Sequence, residues 1–532
     1  MEDAKEVREE CGIIGVYLKK PSIKKTKLVP ELLYIGLSQL QHRGQLSAGI
    51  SVYNPFNKGY EKRLKLLREV GMVDDLFIAR DEEKSKKIIN YCKGIAGIGH
   101  VRYATAGCAA SYLDLLEETQ PFLRHHGRPW KRFSIVFNGN LANYLSLKKE
   151  MSREGYLLDT EVDTEIIMHL MSLNLKSLSV KDEGGKDAKP SLFDVSKKLI
   201  EKFDGAYNIM AMFADGDLVV LRDPLAFKPL VWGENSDFYA VASESIALEK
   251  MGIERFFQVE PGNCMIFNKE GVSEKNICYS ERKARCHFER VYFSKANSII
   301  DGKSVNSTRE CLGRSLAEIE PLKHKFKKYS DEYVVVPVPK TAIPAAEAYA
   351  KALNLHFTLA LDKAEGKRGF INKERERKRI MHREYGLIGE RIKGKKVIVI
   401  EDSIVRGETS KEIVSILKKA GVLEVHWRST EPPIKYPCFY GIDFPTYKEL
   451  IATRFKDCKN IKSLENAVAE EIGVNSVVYQ RIEGLVKSLG FGVNESCFAC
   501  LTGEYPTPAG EMMAQTVRTK DKILKQKSTA KI

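Results

Sequence analysis

Apolar positions along the chain follow two regimes. Up to about residue 290, short apolar runs are separated by polar islands; from about Tyr292, strand-length apolar runs alternate with stretches of helical apolar spacing. The clearest passage is Val397–Ser410, reading V-I-V-I-E-D-S-I-V-R-G-E-T-S. Its β-branched apolar residues predict a buried strand in a parallel sheet. The strand ends on Glu401 and Asp402, enters the small-residue loop Ser403–Gly407, and passes into a helix with Ile413, Ile416, Leu417 and Ala420 on one face. Thr409 with Glu412 fits a capping box for that helix. The same pattern predicts a strand at Glu332–Val338 followed by a helix at Pro344–Leu353. Earlier, it predicts a helix from about Pro30 leading to a strand at Ala48–Tyr53, then a helix at Ser191–Ile200 and a strand at Gly205–Phe213. Lys176–Pro190 reads as a surface insertion, and there is no internal repeat.

A chain of 532 residues predicts at least two domains, each with its own core. No apolar run reaches membrane-spanning length, and Met1–Glu10 is too acidic for a signal peptide. A cytoplasmic protein without membrane association is therefore expected. In that compartment the 11 cysteines argue for catalysis, metal binding or plain buried thiols ahead of disulfides. The net charge of +14 is concentrated: Lys363–Lys396 holds 13 basic and 5 acidic residues, and Gln515–Ile532 holds 6 and 1. The first segment leads into the acidic-pair strand and favours a small polyanionic substrate. The second reads as a solvated tail. No reader motif or aromatic-basic interleaving points to nucleic acid.

The candidate chemistry begins at Cys11-Gly12, at the head of an apolar strand. Polar islands follow at Gln41-His42-Arg43-Gly44-Gln45, Gly99-His100-Val101-Arg102-Tyr103-Ala104-Thr105, Phe137-Asn138-Gly139-Asn140-Leu141 and Asp163-Thr164-Glu165. In this order behind Cys-Gly they resemble the N-terminal-nucleophile glutaminase domain of class II glutamine amidotransferases. That resemblance implies an α+β, four-layer αββα sandwich over roughly Cys11–Gly262. No histidine has a motif placing it as a partner for Cys11. Removal of Met1–Glu10 would instead free an α-amino group with a pKa of about 7.7–8.0, suited to a general base. The family implies Cys11 as nucleophile, with Asn138 (side chain) and Gly139 (backbone N–H) as the oxyanion hole. Arg102 would hold the glutamine α-carboxylate and Asp163 its α-amino group, while Arg43 reads as a structural buried charge. Ala242-Ser243-Glu244-Ser245 resembles the family's closing strands.

Val397–Ser410 puts a strand, two acids, a loop and a helix N-terminus in the arrangement where open α/β sheets hold phosphates, and the acids suit ribose hydroxyls or an intervening Mg²⁺. It resembles the phosphoribosyl pyrophosphate (PRPP) motif of type I phosphoribosyltransferases. With Pro339-Lys340-Thr341-Ala342 and Arg368-Gly369, the C-terminal half is similar to the α/β transferase domain of amidophosphoribosyltransferases. By that likeness Thr341, Glu401 and Asp402 hold one Mg²⁺ per subunit with the pyrophosphate and ribose. Ser403 to Thr409, Gly407 included, cradle the 5-phosphate, and Arg368 with Lys363–Lys396 forms a lid. Lys340, Glu384 and Glu408 depart from the family pattern, and Lys340 is expected to compensate Glu408. The contexts of Cys286, Cys438, Cys497 and Cys500 resemble the ligands of a [4Fe–4S] cluster in this family, although four thiolates equally bind zinc. Cys92, Cys108, Cys264, Cys278, Cys311 and Cys458 read as ordinary cysteines.

The expected plan is a propeptide (1–10), a glutaminase domain (11–262), a junction (263–291), a transferase domain (292–455), a C-terminal segment with cluster cysteines (456–514) and a basic tail (515–532). The resemblance implies a propeptide-bearing, iron–sulfur enzyme of purine synthesis that turns glutamine and PRPP into 5-phosphoribosylamine, glutamate and pyrophosphate. Ammonia would pass internally. The family also implies a homo-oligomer inhibited by purine nucleotides. Two other readings use the same residues: a glutaminase serving another acceptor, and a paralogue whose degraded PRPP site has become a regulatory module.

Overall fold

The computed structural model describes residues 11–103, 111–181, 185, 187–363, 385–442, 444, 446–455 and 457–529. The expected propeptide, the lid residue Arg368, Glu384 and Cys108 lie outside the described residues. The chain starts in one sheet with β1 (Cys11–Leu18), β2 (Ser47–Tyr53), β3 (Leu64–Val70) and β4 (Ala96–Arg102). It then builds a second with β5 (Phe122–Arg124), β6 (Phe133–Leu141), β7 (Gly205–Phe213) and β8 (Leu218–Arg222). It returns to the first through β9 (Val231–Glu234), β10 (Phe238–Ala242) and β11 (Phe256–Gln258), and finishes the second with β12 (Asn263–Asn268) and β13 (Gly271–Asn276). The first sheet is seven-stranded, in the order β11-β9-β10-β1-β4-β2-β3; the second is six-stranded, β13-β12-β8-β7-β6-β5. Both are antiparallel throughout.

Side-chain alternation makes these sheets the middle of a sandwich. Val136, Met210 and Met212 pack with Ile13 and Ile98 between the sheets. Their neighbours Ile135, Phe137, Ile209 and Ala211 face outward, against the helices Tyr144–Arg153, Asp163–Ser177 and Leu192–Ile200. Leu33, Leu37 and Leu40 of the helix Leu28–Leu40 cover the other side of the first sheet. This is the expected αββα sandwich, but it closes at Asn276. The expected boundary at Gly262 falls one residue before a hairpin whose first strand pairs with β8.

The junction holds β14 (Arg285–Cys286), a single π-type turn at Glu289–Phe293, and the hairpin β15 (Ile299–Ile300) with β16 (Lys303–Ser304). Next come β17 (Tyr333–Pro337), β18 (His356–Phe357), β19 (Leu361–Lys363), β20 (Tyr385–Leu387), β21 (Lys396–Glu401), β22 (Glu424–Ser429), β23 (Ser476–Tyr479) and β24 (Ser496–Cys497). Five of these form a parallel sheet in the order β18-β17-β21-β22-β23, with the acidic-pair strand at its centre. β19 and β20 pair antiparallel at the base of the segment expected to be a lid. β23 carries the transferase sheet past the expected boundary at residue 455. Gln515 onward is no separate tail, since one helix spans Pro508–Thr529. Ala514 of that helix is buried, and Arg518 stands over the Tyr436 ring. Among the described residues no helix is long and apolar enough to cross a membrane.

Candidate functional site

The first site lies where β1 begins. A β-carbon on Gly15 would stand 3.1 Å from Met210 Sδ in the second sheet, whereas one on Gly12 would stand 3.0 Å from Leu40 Cβ in the covering helix. Cys11 shares the parity of Ile13 and Gly15 and so faces the second sheet. Asn138 shares the parity of Val136, which packs between the sheets, and so faces back toward β1. Ser243 joins the two: its Oγ accepts from Ile13 N at 3.0 Å and from Asn138 Nδ2 at 3.4 Å. Asn138 is fully buried, and its Oδ1 has no hydrogen-bond partner among the described residues. A buried polar atom left unmet calls for an explanation, and a catalytic role is one. Gly139 is confined by its neighbour strand, because a β-carbon there would run into the Ala206 carbonyl.

Arg102 is registered directly opposite Cys11 across β1 and β4, and its Nη2 donates to Glu118 Oε2 at 2.7 Å. Asp163 heads the helix Asp163–Ser177 and accepts the Leu141 N–H at 2.9 Å, which ties it to the end of the strand bearing Asn138 and Gly139. Arg43 is a buried structural charge, as expected: it bonds Glu244, and its Nη2 reaches Glu289 at 2.7 Å and Ser294 Oγ at 3.0 Å. Sequence reasoning missed Ser243, Glu118 and Gln120, whose Oε1 receives the Phe137 N–H at 2.6 Å. Only Ser243 had any signal, its place in the closing-strand motif.

The second site is the C-terminal end of β21. Val397 and Val399 face the helices Glu408–Lys419 and Ile461–Ile472, while Ile398 and Ile400 face the helix Ile343–Leu353. The acidic pair splits the same way. Glu401 turns to the first side, taking Trp427 Nε1–H at 2.9 Å and Ser410 Oγ–H at 3.2 Å. Asp402 turns to the Thr341 loop, accepting the Thr341 hydroxyl and, at 2.9 Å, that of Ser403. Burial pushes both carboxyls up, Glu401 to about 8 with the Asp402 charge adding to it; at Asp402 the Thr341 and Ser403 bonds and the Arg309 charge oppose the rise. Arg309 was missed in the sequence. It sits on the helix Val305–Glu318, and its guanidinium donates to the carbonyls of Arg290, Val291, Tyr292 and Ser294.

Gly407, not Thr409, caps the following helix, which starts at Glu408. Gly407 holds φ +80° and ends the loop two residues earlier than a capping box at Thr409 requires. The first N–H groups of that helix lack intrahelical acceptors, the general property that makes helix N-termini suited to phosphate. Glu408 is exposed at a helix N-terminus, where a carboxylate is favourable, so it has a reason to be there independent of Lys340.

The four cysteines singled out as a set come together. Cys286 and Cys497 are neighbours across β14 and β24, Lys435 N and Tyr436 N bond Cys500 O at 2.9 and 3.0 Å, and Tyr440 N–H points to Cys438 Sγ at 3.4 Å. Phe288, Phe439, Phe498 and Tyr505 pack around them. None of the four is in a disulfide, and burial raises the thiol pKa of Cys286, Cys497 and Cys500, with neighbouring thiols of the set adding smaller contributions. That donor set, soft and shielded from water, suits a cluster or a soft metal. Among the described residues, no group of three or more His, Cys, Asp or Glu side chains is arranged to hold a metal ion.

Two family models match the chain: a glutamine amidotransferase domain over residues 108–250 and a phosphoribosyl transferase domain over 314–428. The amidophosphoribosyltransferase of Methanothermobacter thermautotrophicus is 34% identical over 510 residues, covering 94% of this chain and 96% of its own. That of Bacillus subtilis is 33% identical over 514 residues, with 95% and 96% covered. The solved structure of glutamine PRPP amidotransferase from B. subtilis, complexed with ADP and GMP, superposes with a TM-score of 0.76 at 32% identity, covering 94% of this chain and 98% of that one.

Proposed function

The chain belongs to the amidophosphoribosyltransferase family, and from that premise we propose how its residues divide the reaction. The enzyme converts glutamine, PRPP and water into glutamate, 5-phosphoribosylamine and pyrophosphate, a step of purine biosynthesis. Cys11 attacks the glutamine side-chain carbonyl. The tetrahedral oxygen is met by Asn138 Nδ2 and the Gly139 N–H, and its collapse releases ammonia and leaves a thioester that water hydrolyses to glutamate. With Met1–Glu10 removed, the Cys11 α-amino group takes the thiol proton and returns it to the leaving nitrogen. Arg102 binds the glutamine α-carboxylate, exchanging Glu118 for it, and Asp163 binds the α-amino group. The observation that supports this most is the convergence of Cys11, Arg102 and Asn138 on the space between the two sheets.

Ammonia passes within the protein to the second site, attacks the ribose C1 of PRPP and displaces pyrophosphate. Ser403 to Thr409 receive the 5-phosphate at the helix N-terminus, and Arg368 closes over the pyrophosphate. Thr341 and Asp402 are oxygen donors suited to Mg²⁺, which would neutralise pyrophosphate charge and favour the ionised form of Asp402, whereas Glu401, expected to share in that role, is held on the other side of the sheet by Trp427 and Ser410. Cys286, Cys438, Cys497 and Cys500 would hold a [4Fe–4S] cluster that cross-links three distant stretches of chain. The remaining proposals are a cytoplasmic homo-oligomer inhibited by purine nucleotides, in keeping with the relative solved with ADP and GMP.

Cys11→Ser tests the division of labour. It should abolish pyrophosphate release with glutamine and leave release with ammonium salt unchanged; loss of both would contradict it. N-terminal sequencing that finds Glu10 attached in active enzyme would exclude processing. An anaerobic preparation without iron or visible absorption would exclude the cluster.

A further inference from the structure

The motif Ala242-Ser243-Glu244-Ser245 contains a hydroxyl for which the reaction above has no role. Ser243 is fully buried directly after β10. Its N–H donates to Ile13 O and its Oγ accepts from Ile13 N, both at 3.0 Å, which clamps it to the strand that Cys11 begins. The same oxygen takes Asn138 Nδ2–H at 3.4 Å from the opposite sheet. A hydroxyl oxygen has two lone pairs, and both are committed here.

The terminal torsion of an asparagine is soft, so the amide direction depends on its hydrogen bonds. Asn138 Oδ1 has no partner among the described residues, and the bond to Ser243 is the side-chain bond that orients the Asn138 amide. We infer that Ser243 is a positioning residue of the glutaminase site: it holds one N–H of Asn138, so that the other is aimed at the carbonyl oxygen that Cys11 attacks. The same hydroxyl refers that direction to the Cys11 strand, so nucleophile and donor move as one unit. This rests on the reading of Asn138 as an oxyanion donor. Such donors are worth about 10²–10³ in kcat, and a donor present but misdirected loses part of that.

The test compares Ser243→Ala, Ser243→Thr, Asn138→Ala and the Ser243→Ala/Asn138→Ala double variant in the full-length enzyme. Glutaminase kcat and KM are measured, with ammonium-dependent pyrophosphate release as the check that the rest of the enzyme is intact. Ser243→Ala should lower glutaminase kcat about 10- to 100-fold with the glutamine KM within about twofold. Ammonium-dependent release should be unchanged, and Ser243→Thr, which keeps the hydroxyl, should recover most of the loss. Asn138→Ala should lower kcat at least as much, and Ser243→Ala should add little on top of it. An unchanged kcat in Ser243→Ala overturns the inference, and so does a full additional loss in the double variant. An unchanged kcat in Asn138→Ala refutes the oxyanion reading itself and the inference with it. Should Ser243→Ala fail to fold, Ser243→Cys takes its place: its thiol fills the same space but accepts hydrogen bonds weakly, and the same drop in kcat at constant KM is expected.

Discussion

Glu401 and Asp402 are adjacent, yet they face opposite sides of the transferase sheet and have different partners. Asp402 meets Thr341 and Ser403 at the crevice, while Glu401 is held by Trp427 and Ser410. Their replacements should therefore differ. Asp402→Asn removes the acid that meets the Thr341 loop and, on the proposed division of roles, should cut ammonium-dependent pyrophosphate release about 100-fold or more. Glu401→Gln resembles the protonated carboxyl that burial already favours near neutrality, and should cost distinctly less. Equal losses in the same assay would contradict the asymmetry. The sequence made the two acids legible as a pair, because a strand ending on adjacent carboxylates is a local signal. Their division was not legible, since it depends on Trp427, a strand away. Cys11, Asn138 and Gly139 were equally readable as local motifs, whereas Ser243, Glu118 and Arg309 matter only through contacts made across the fold.

β22 shows how much one element sets. Trp427 faces the Glu401 side, and Arg428 turns the other way into a buried ion pair, its Nε 2.6 Å and its Nη2 2.8 Å from the Glu320 carboxylate. Tyr349 also donates to that carboxylate, at 2.5 Å. Glu320→Ala would strand a fully buried guanidinium and should destabilise the fold by about 3–5 kcal/mol, read by denaturant unfolding. On the same strand, burial and then the Arg428 charge depress His426 to about 4. The unfolded chain binds that proton from about pH 6.5 downward and the folded chain only near 4. Stability should therefore fall as the pH drops through this window, and His426→Gln should flatten the slope there. An unchanged slope would contradict the assignment. At this scale β17, β21 and the helices after them were legible from apolar spacing. β12, β13 and β23 were missed because each lies beyond the last recognisable motif of its domain and joins its sheet only through pairing, β12 with β8, β13 with β12 and β23 with β22.

The two halves meet through groups far apart in sequence. Arg43 reaches Glu289 and Ser294, Lys228 pairs with Glu289 at 3.2 Å, and Asn140 Nδ2 donates to Phe439 O at 2.9 Å. Asp204 accepts the Ala509 N–H at 3.0 Å, which ties the last helix to the first domain. Phe227 stacks on Tyr440 with ring centroids 4.3 Å apart. None of this was visible in sequence, where each partner reads as an ordinary polar or aromatic residue. Both half-reactions were visible, because each rests on compact motifs. The central claim is that the halves act as one enzyme, with ammonia from the Cys11 site reaching PRPP without entering solvent. Turnover of amide-¹⁵N glutamine with PRPP in excess unlabelled ammonium, near neutral pH, tests this directly. Phosphoribosylamine carrying mostly ¹⁵N is the predicted result; product whose label matches the diluted ammonia pool would contradict it.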